Sequence, residues 1–195
     1  MKKMLKITGI ILGMSGLLIG CKEKEAKEET TDKKQEADVV EEDKVNEDNV
    51  NDTKYISKDG KIEIELPNET WVCTDDSGDN ITISSEEGVI NIMRNEGDAV
   101  ATQLVDNQGE YEAQIKGFFA DVQFEVISFE KTEEEGRTGY RSVIKYVNNE
   151  PDYYMVGMAT YNSMEGYTVA ATLYKDDTQL LKKTENSVFT MKVLK

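Results

Sequence analysis

Histidine is absent from the sequence, and cysteine and proline each occur only twice. Without histidine the chain has no Ser-His-Asp or Cys-His catalytic group and no histidine ligand for zinc. Its two cysteines, Cys21 and Cys73, are too few for a four-cysteine zinc site. Those catalytic arrangements and zinc sites are excluded, and we expect neither a metal nor a cofactor.

Positive charge is also scarce, with 23 Lys and Arg residues against 39 Asp and Glu. The resulting net charge of −16 repels nucleic-acid backbones, so sequence-independent binding of DNA or RNA is excluded. Apolar residues make up 38% of the 195-residue chain, which is enough for one core of ordinary size. We therefore expect one folded domain with additional segments.

The chain begins with a basic segment followed by a short apolar one. Lys2, Lys3 and Lys6 precede residues 7–20, an uncharged run of 14 residues. A membrane-spanning helix needs about 20 apolar residues, so this run is too short to cross a bilayer comfortably. The pattern is typical of a cleaved secretory signal, and it predicts a signal peptide over residues 1–20.

The apolar run ends in Leu18-Ile19-Gly20-Cys21, which resembles the lipobox of bacterial lipoproteins. The resemblance implies that the Cys21 sulfur receives a diacylglycerol and that cleavage leaves Cys21 as the new N-terminus. Two acyl chains hold a protein on a bilayer where one barely does. The alternative is an ordinary signal peptide or membrane anchor with a chance cysteine.

Residues 22–54 contain 13 acids and seven lysines, and no aromatic residue, Leu, Ile or Met. Such a segment buries too little apolar surface to compensate for its ordering entropy. We expect residues 21–54 to be the lipidated cysteine and a disordered acidic tether. As a coil the tether would reach about 30 Å from the membrane.

Residues 55–195 are expected to be the folded domain. Alternating apolar residues in Ile62-Glu63-Ile64-Glu65-Leu66 predict a half-buried strand that ends at Pro67. Trp71 begins a second extended piece, and we expect its side chain to be buried as a core anchor. Further strands, separated by turn residues, are predicted over residues 81–84, 89–93, 124–131, 138–147, 153–161 and 167–174.

Two helices are expected among these strands. Tyr111, Ile115, Phe118, Phe119 and Val122 lie on one helical face, with Asp106 or Asn107 as the N-cap. The last helix starts near residues 175–177, and its inward stripe is Leu180, Leu181, Thr184 and Val188.

Strands joined by short links pair as antiparallel neighbours, and the helices must cover the sheet. We therefore predict an α+β fold, a single antiparallel sheet of about six to seven strands flanked by helices. The order from Leu66-Pro67 to Trp71, followed by hairpin, helix, long meander and C-terminal helix, resembles the Mog1/PsbP-like fold, an α/β/α sandwich. That family shares no catalytic residues, so the resemblance implies an accessory or binding protein and transfers no site.

Three features of the sequence could carry chemistry. Cys73, in a predicted strand, is either a small buried hydrophobe or a reactive thiol. Residues 75–80 form an acidic turn that lacks EF-hand spacing, so we favour a solvated turn over an ion site. Tyrosines are frequent in the last strands, and those that form a candidate binding patch are Tyr153, Tyr154, Tyr161 and Tyr167. Alternation places Tyr153 and Tyr161 on one face and Tyr154 on the other; the alternative is core packing.

The sequence indicates a non-catalytic binding or accessory lipoprotein on the outer face of the cytoplasmic membrane of a Gram-positive cell. Its expected partners are the membrane, through Cys21, and a protein or cell-wall component. The alternative is a cell-envelope hydrolase that uses paired carboxylates from Glu63, Glu65, Asp75 and Asp79.

Overall fold

The computed structural model describes residues 50, 51, 53–97, 104–118, 122–147 and 153–194. The expected signal peptide, the lipidated Cys21 and the tether up to residue 49 lie outside the described residues. No helix in the described part of the chain is long and apolar enough to cross a membrane.

The described residues form eleven strands and two helices. The strands are β1 (Val50–Asn51), β2 (Lys54–Ile56), β3 (Ile62–Glu65), β4 (Val72–Asp76), β5 (Asn80–Ser84), β6 (Gly88–Glu96), β7 (Gln123–Glu134), β8 (Arg137–Val147), β9 (Tyr153–Tyr161), β10 (Glu165–Leu173) and β11 (Lys192–Val193). The helices are α1 (Gln108–Phe118) and α2 (Thr178–Phe189).

Seven strands form the larger sheet in the order β4-β5-β6-β10-β9-β8-β7, and every neighbouring pair is antiparallel. Consecutive strands pair as antiparallel hairpins from β4 to β6 and from β7 to β10, as the sequence predicted. The connection between these two groups contains α1 and carries the chain from the middle of the sheet to its far edge. The last hairpin then returns β10 to the side of β6.

A second sheet was not expected, and the prediction of a single sheet was correct only in outline. It contains four strands in the order β1-β2-β3-β11. Its β3 pairs with β2 on one side and with β11 on the other. The second pairing places Glu63 opposite Lys192 and so joins the two ends of the domain sequence. Its first strand, Val50–Asn51, lies before the boundary expected at residue 55.

The larger sheet has one face that packs against α2 and the four-stranded sheet, here called the α2 face. Its core joins residues of both sheets and of the helix, including Ile64, Ile90, Val169 and Leu181. The predicted inward stripe of α2 is confirmed, since Leu180, Leu181, Thr184 and Val188 are all buried. The side chain of Asp177 caps the helix by accepting hydrogen bonds from two backbone N–H groups.

The opposite face of the sheet, here called the α1 face, packs against α1. Tyr111 and Ile115 are buried as predicted, and the Asn107 side chain caps the helix by accepting from the Glu110 N–H at 3.0 Å. Phe118 was expected on the same inward stripe, but its side chain is 47% exposed. Along the described helix the buried residues are Tyr111 and Ile115, so the inward stripe does not extend to Phe118.

Candidate functional site

The four tyrosines of the candidate patch do not form one exposed surface, so that hypothesis is corrected. Tyr154, Tyr161 and Tyr167 are 5%, 1% and 2% exposed, and Tyr153 is half-buried. The predicted alternation is confirmed: Tyr154 packs in the α2-face core, and Tyr153 and Tyr161 pack on the α1 face. Strands β9 and β10 lie inside the sheet, and the packing layers on its two faces bury most of their side chains.

The only three arginines in the sequence, Arg94, Arg137 and Arg141, all project onto the α2 face. Glu165 lies between two of them, with its carboxylate 3.1 Å from Arg94 Nη2 and 3.5 Å from Arg137 Nη1. Tyr167 donates its hydroxyl hydrogen to the same carboxylate at 3.3 Å. The Arg137 guanidinium lies over the Tyr167 ring, with its Cζ atom 5.6 Å from the ring centroid. The arginine charges are thus committed to neighbouring carboxylates.

The third arginine, Arg141 on β8, contacts the C-terminal end of helix α2. Arg141 Nη2 donates to the Phe189 carbonyl at 3.5 Å and to Glu134 Oε1 at 3.1 Å. Its guanidinium also lies 5.5 Å from the centroid of the Phe189 ring. A cation at the last carbonyls of a helix is favourable because it complements the helix dipole. This group therefore fixes α2 on the sheet.

The arginine network was not predicted from the sequence. Arginines and glutamates that alternate with apolar residues along a strand look the same whether that side of the strand is solvated or packed. The available signal in the sequence was the position of the arginines, which occur only at residue 94 and within residues 137–141.

Cys73 is half-buried and packs against the α2-face core. Its thiol lies 3.4 Å from the Tyr55 hydroxyl, and burial, the largest influence, raises the pKa of the thiol. A raised pKa lowers the fraction of thiolate, which is the nucleophilic form. The arrangement therefore favours the packing role over the reactive one.

The acidic turn is built around one inward-pointing carboxylate. Asp76 is 8% exposed and accepts hydrogen bonds from the Tyr55 hydroxyl, from Lys58 N at 2.7 Å and from Gly78 N at 3.0 Å. Gly78 occupies the left-handed region at φ +84°, where glycine is favoured. Asp76 thus serves the turn and the sheet contact, and the described residues contain no group of three acids, cysteines or histidines that would hold a metal ion.

The acids considered for hydrolysis belong to two different sheets. Glu63 and Glu65 lie on β3 of the smaller sheet, and Glu63 pairs with Lys54 at 2.8 Å. Asp75 is an exposed residue of β4, and Asp79 lies in the following turn with its side chain 75% exposed. This placement gives no sign of a shared substrate cleft.

A cleft of about 190 Å³ does lie on the α1 face, between the residues before α1 and the β7–β8 hairpin. We call it the Tyr140 cleft. The residues that line it are Leu104, Val105, Asp106, Lys131, Thr138, Gly139, Tyr140 and Tyr161. One of the four predicted patch residues, Tyr161, is therefore part of this cleft, where its hydroxyl meets Thr168 Oγ1 at 3.4 Å.

Strand register brings the polar groups of the cleft together. Lys131 lies directly opposite Tyr140 across β7 and β8, and Thr138 lies directly opposite Tyr161 across β8 and β9. Lys131 Nζ contacts Asp106 Oδ1 at 2.6 Å, and this hydrogen bond raises the pKa of the lysine. Burial raises the pKa of Tyr140 well above its ordinary value, so its hydroxyl keeps its proton.

No protein-family model matches the sequence, and no curated protein matches it. Among solved structures, the chain is similar to the solution structure of cyanobacterial PsbP (CyanoP) from Synechocystis sp. PCC 6803. The TM-score is 0.54 at 15% identity, over 72% of this chain and 91% of that one.

A crystal structure from Bacteroides thetaiotaomicron VPI-5482 is also similar, with 16% identity over 73% of this chain and 48% of that one. Its TM-score of 0.37 is too low to support any argument. The likeness to CyanoP, at its low identity, concerns the fold alone: the described domain has a PsbP-like fold.

Proposed function

We propose that this chain is an extracytoplasmic lipoprotein whose domain acts as a non-catalytic binding or accessory module. The observation that carries the proposal is the N-terminal order of Lys2, Lys3 and Lys6, an apolar run, and Leu18-Ile19-Gly20-Cys21. A diacylglyceryl group on Cys21 holds the protein on the outer face of the cytoplasmic membrane of a Gram-positive cell. The acidic segment after it separates the domain from the bilayer.

Two structural features support a binding role over catalysis. The acids of the hydrolase alternative are divided between two sheets, and Glu63 is already paired with Lys54. The arginines, which would otherwise serve an anionic transition state, are engaged by Glu165, Glu134 and the end of α2. A domain of this kind acts by presenting a surface or small site to a protein or wall component.

The two cysteines provide a matched test of the anchor. Cys21→Ala should abolish incorporation of labelled palmitate and move the protein from the membrane to the soluble or unprocessed fraction. Cys73→Ala should leave labelling and membrane location unchanged. Labelling that persists in Cys21→Ala, or that depends on Cys73, would refute the proposed anchor.

The accessory role is tested by crosslinking on intact cells. We expect the wild-type protein to crosslink reproducibly to one protein or wall component, and Cys21→Ala to lose that product because it leaves the membrane. Release of sugar or peptide fragments from purified cell wall by the pure protein, lost in Glu63→Gln or Asp79→Asn, would instead establish the hydrolase.

A further inference from the structure

The Tyr140 cleft is lined by a buried tyrosine whose hydroxyl forms no hydrogen bond within the described part of the chain. Tyr140 is 6% exposed, and no residue in the described part of the chain forms a hydrogen bond with its hydroxyl. Buried tyrosine hydroxyls usually find a hydrogen-bond partner. Here the side chain lines an open cleft, so the hydroxyl is available to a bound molecule.

A second donor, Lys131, lines the same cleft. Lys131 faces Tyr140 directly in the β7–β8 register, and side chains at such positions are neighbours on one face of a sheet. An ammonium and a phenol hydroxyl carried by adjacent strands that line one cleft are a suitable pair of donors for one carboxylate.

The charge around this pair disfavours a simple anion. Lys131 is already bound to Asp106, and its pKa is also raised by the nearby Glu133 and Glu110. Three carboxylates around one lysine repel a ligand that carries only negative charge, and the net charge of −16 adds to that effect. A ligand that carries only positive charge must instead compete with Lys131 for Asp106. A zwitterion satisfies both members of the ion pair at once.

The remaining lining limits the size and character of the ligand. Leu104 is 50% exposed and Val105 is 8% exposed, so the cleft offers an apolar wall. Its volume of about 190 Å³ is below the range of roughly 300–1,000 Å³ typical of pockets for drug-sized molecules. It suits a molecule of the size of one amino acid.

We propose that the Tyr140 cleft binds a free amino acid with an apolar side chain. The ligand's carboxylate accepts hydrogen bonds from Lys131 and Tyr140, its ammonium donates to Asp106, and its side chain packs against Leu104 and Val105. This inference rests on the proposed role of the domain as a binding module and gives that module a ligand class.

The test is a titration of the full-length ¹⁵N-labelled protein with leucine, followed by amide NMR shifts. We expect saturable shifts centred on residues 104–106, 131 and 138–140. Two analogues separate the charges: N-acetylleucine lacks the ammonium and leucinamide lacks the carboxylate. Each analogue should bind at least about tenfold more weakly than leucine, since each loses a charged hydrogen bond.

The variants are Tyr140→Phe, which keeps the ring, and Lys131→Met, which keeps the stem. Each should weaken leucine binding by about tenfold. Lys192→Met, an exposed lysine on β11 of the other sheet, should leave it unchanged. Circular dichroism verifies that each variant is folded.

Absence of saturable shifts, equal shifts with N-acetylleucine, or unchanged binding in both cleft variants would overturn the assignment. Those results would leave the membrane anchor untouched, since palmitate labelling of Cys21 is measured independently. Absence of palmitate labelling from the wild-type protein, together with normal leucine binding, would overturn the anchor alone.

Discussion

The hydroxyl of Tyr55, in the four-stranded sheet, donates a hydrogen bond to the buried carboxylate of Asp76, in the seven-stranded sheet. This contact joins the two sheets at one end. The same carboxylate accepts from the backbone N–H groups of Lys58 and Gly78, so it also fixes the turns on both sides.

The Tyr55–Asp76 contact predicts a graded loss of stability. Tyr55→Phe leaves a buried carboxylate without one donor and should cost about 1–3 kcal/mol in the free energy of unfolding. Asp76→Ala should cost more because it removes the acceptor of three donors. Urea unfolding provides the measurement, and the exposed neighbour Asp75→Ala is the control, with a change of about 0.5 kcal/mol or less. Equal midpoints for Asp75→Ala and Asp76→Ala would contradict this role.

Trp71 is predicted to be the largest single contributor to the core. Its side chain is 0% exposed, which confirms the burial expected from sequence, and its indole nitrogen has no hydrogen-bond partner in the described residues. Packing therefore holds the ring, and Trp71→Ala should cost about 3–5 kcal/mol. Native emission should be blue-shifted and resistant to iodide quenching. Emission like that of free tryptophan, or a midpoint no lower than that of the exposed control Val72→Ala, would contradict the assignment.

Gly88 provides a second test of the same packing. A Cβ atom at this position would lie 3.0 Å from Trp71 Cη2 and would also collide with the Thr172 carbonyl oxygen of β10. Gly88→Ala should therefore destabilise the domain by about 1–3 kcal/mol. Gly117→Ala is the control, because a Cβ there meets no atom within 4 Å and alanine favours the helix. A midpoint for Gly88→Ala equal to wild type would show that the contact is looser than described.

Glu165 should matter more than other acids on the surface, because its carboxylate joins Arg94, Arg137 and Tyr167. Glu165→Ala leaves these donors without their shared acceptor, and we expect a loss of about 1–3 kcal/mol. Glu96→Ala is the matched control: Glu96 also pairs with Arg94, at 2.7 Å, but its side chain is 63% exposed. Exposed pairs contribute about 0–1 kcal/mol. Equal urea midpoints for the two variants would refute a special role for Glu165.

Alkaline pH should unfold the domain through its tyrosines. All nine have raised pKa values; burial, opposed by a hydrogen bond, brings the pKa of Tyr111 and of Tyr161 to about 12. A folded pKa above the unfolded value of about 10 means that the neutral phenol stabilises the fold. That contribution is complete below about pH 10 and is lost as pH rises toward 12. Absorbance at 295 nm should rise together with loss of circular dichroism, and ionisation near pH 10 in a fully folded protein would contradict this.

Local pattern predicted much of the fold. The alternation in β3, the turn residues between β7 and β10, and the position of Asp177 before α2 each depend on neighbours in sequence. The second sheet could not be predicted in this way, since β3 pairs with Lys192–Val193 at the opposite end of the domain. The expected inward position of Phe118 was wrong, because the spacing of apolar residues identifies a helix face but does not show how many of its turns the sheet covers.

The candidate site was less predictable than the fold. Tyrosine frequency indicated a patch near Tyr153 and Tyr161, but exposure depends on which strands lie inside the sheet and what covers them. The Tyr140 cleft combines residues from before α1 with strands β7 to β9. Its ion pair joins Asp106 to Lys131, and no local periodicity relates the two.

The central claim is that Cys21 carries a lipid and is the N-terminus of the mature protein, and mass spectrometry of the membrane fraction tests it most directly. The account predicts an N-terminal peptide that begins at Cys21 and carries the added mass of a diacylglyceryl group, which alkaline hydrolysis reduces. A mature chain that begins elsewhere, or a peptide that contains unmodified Cys21 within the membrane-bound protein, would contradict it.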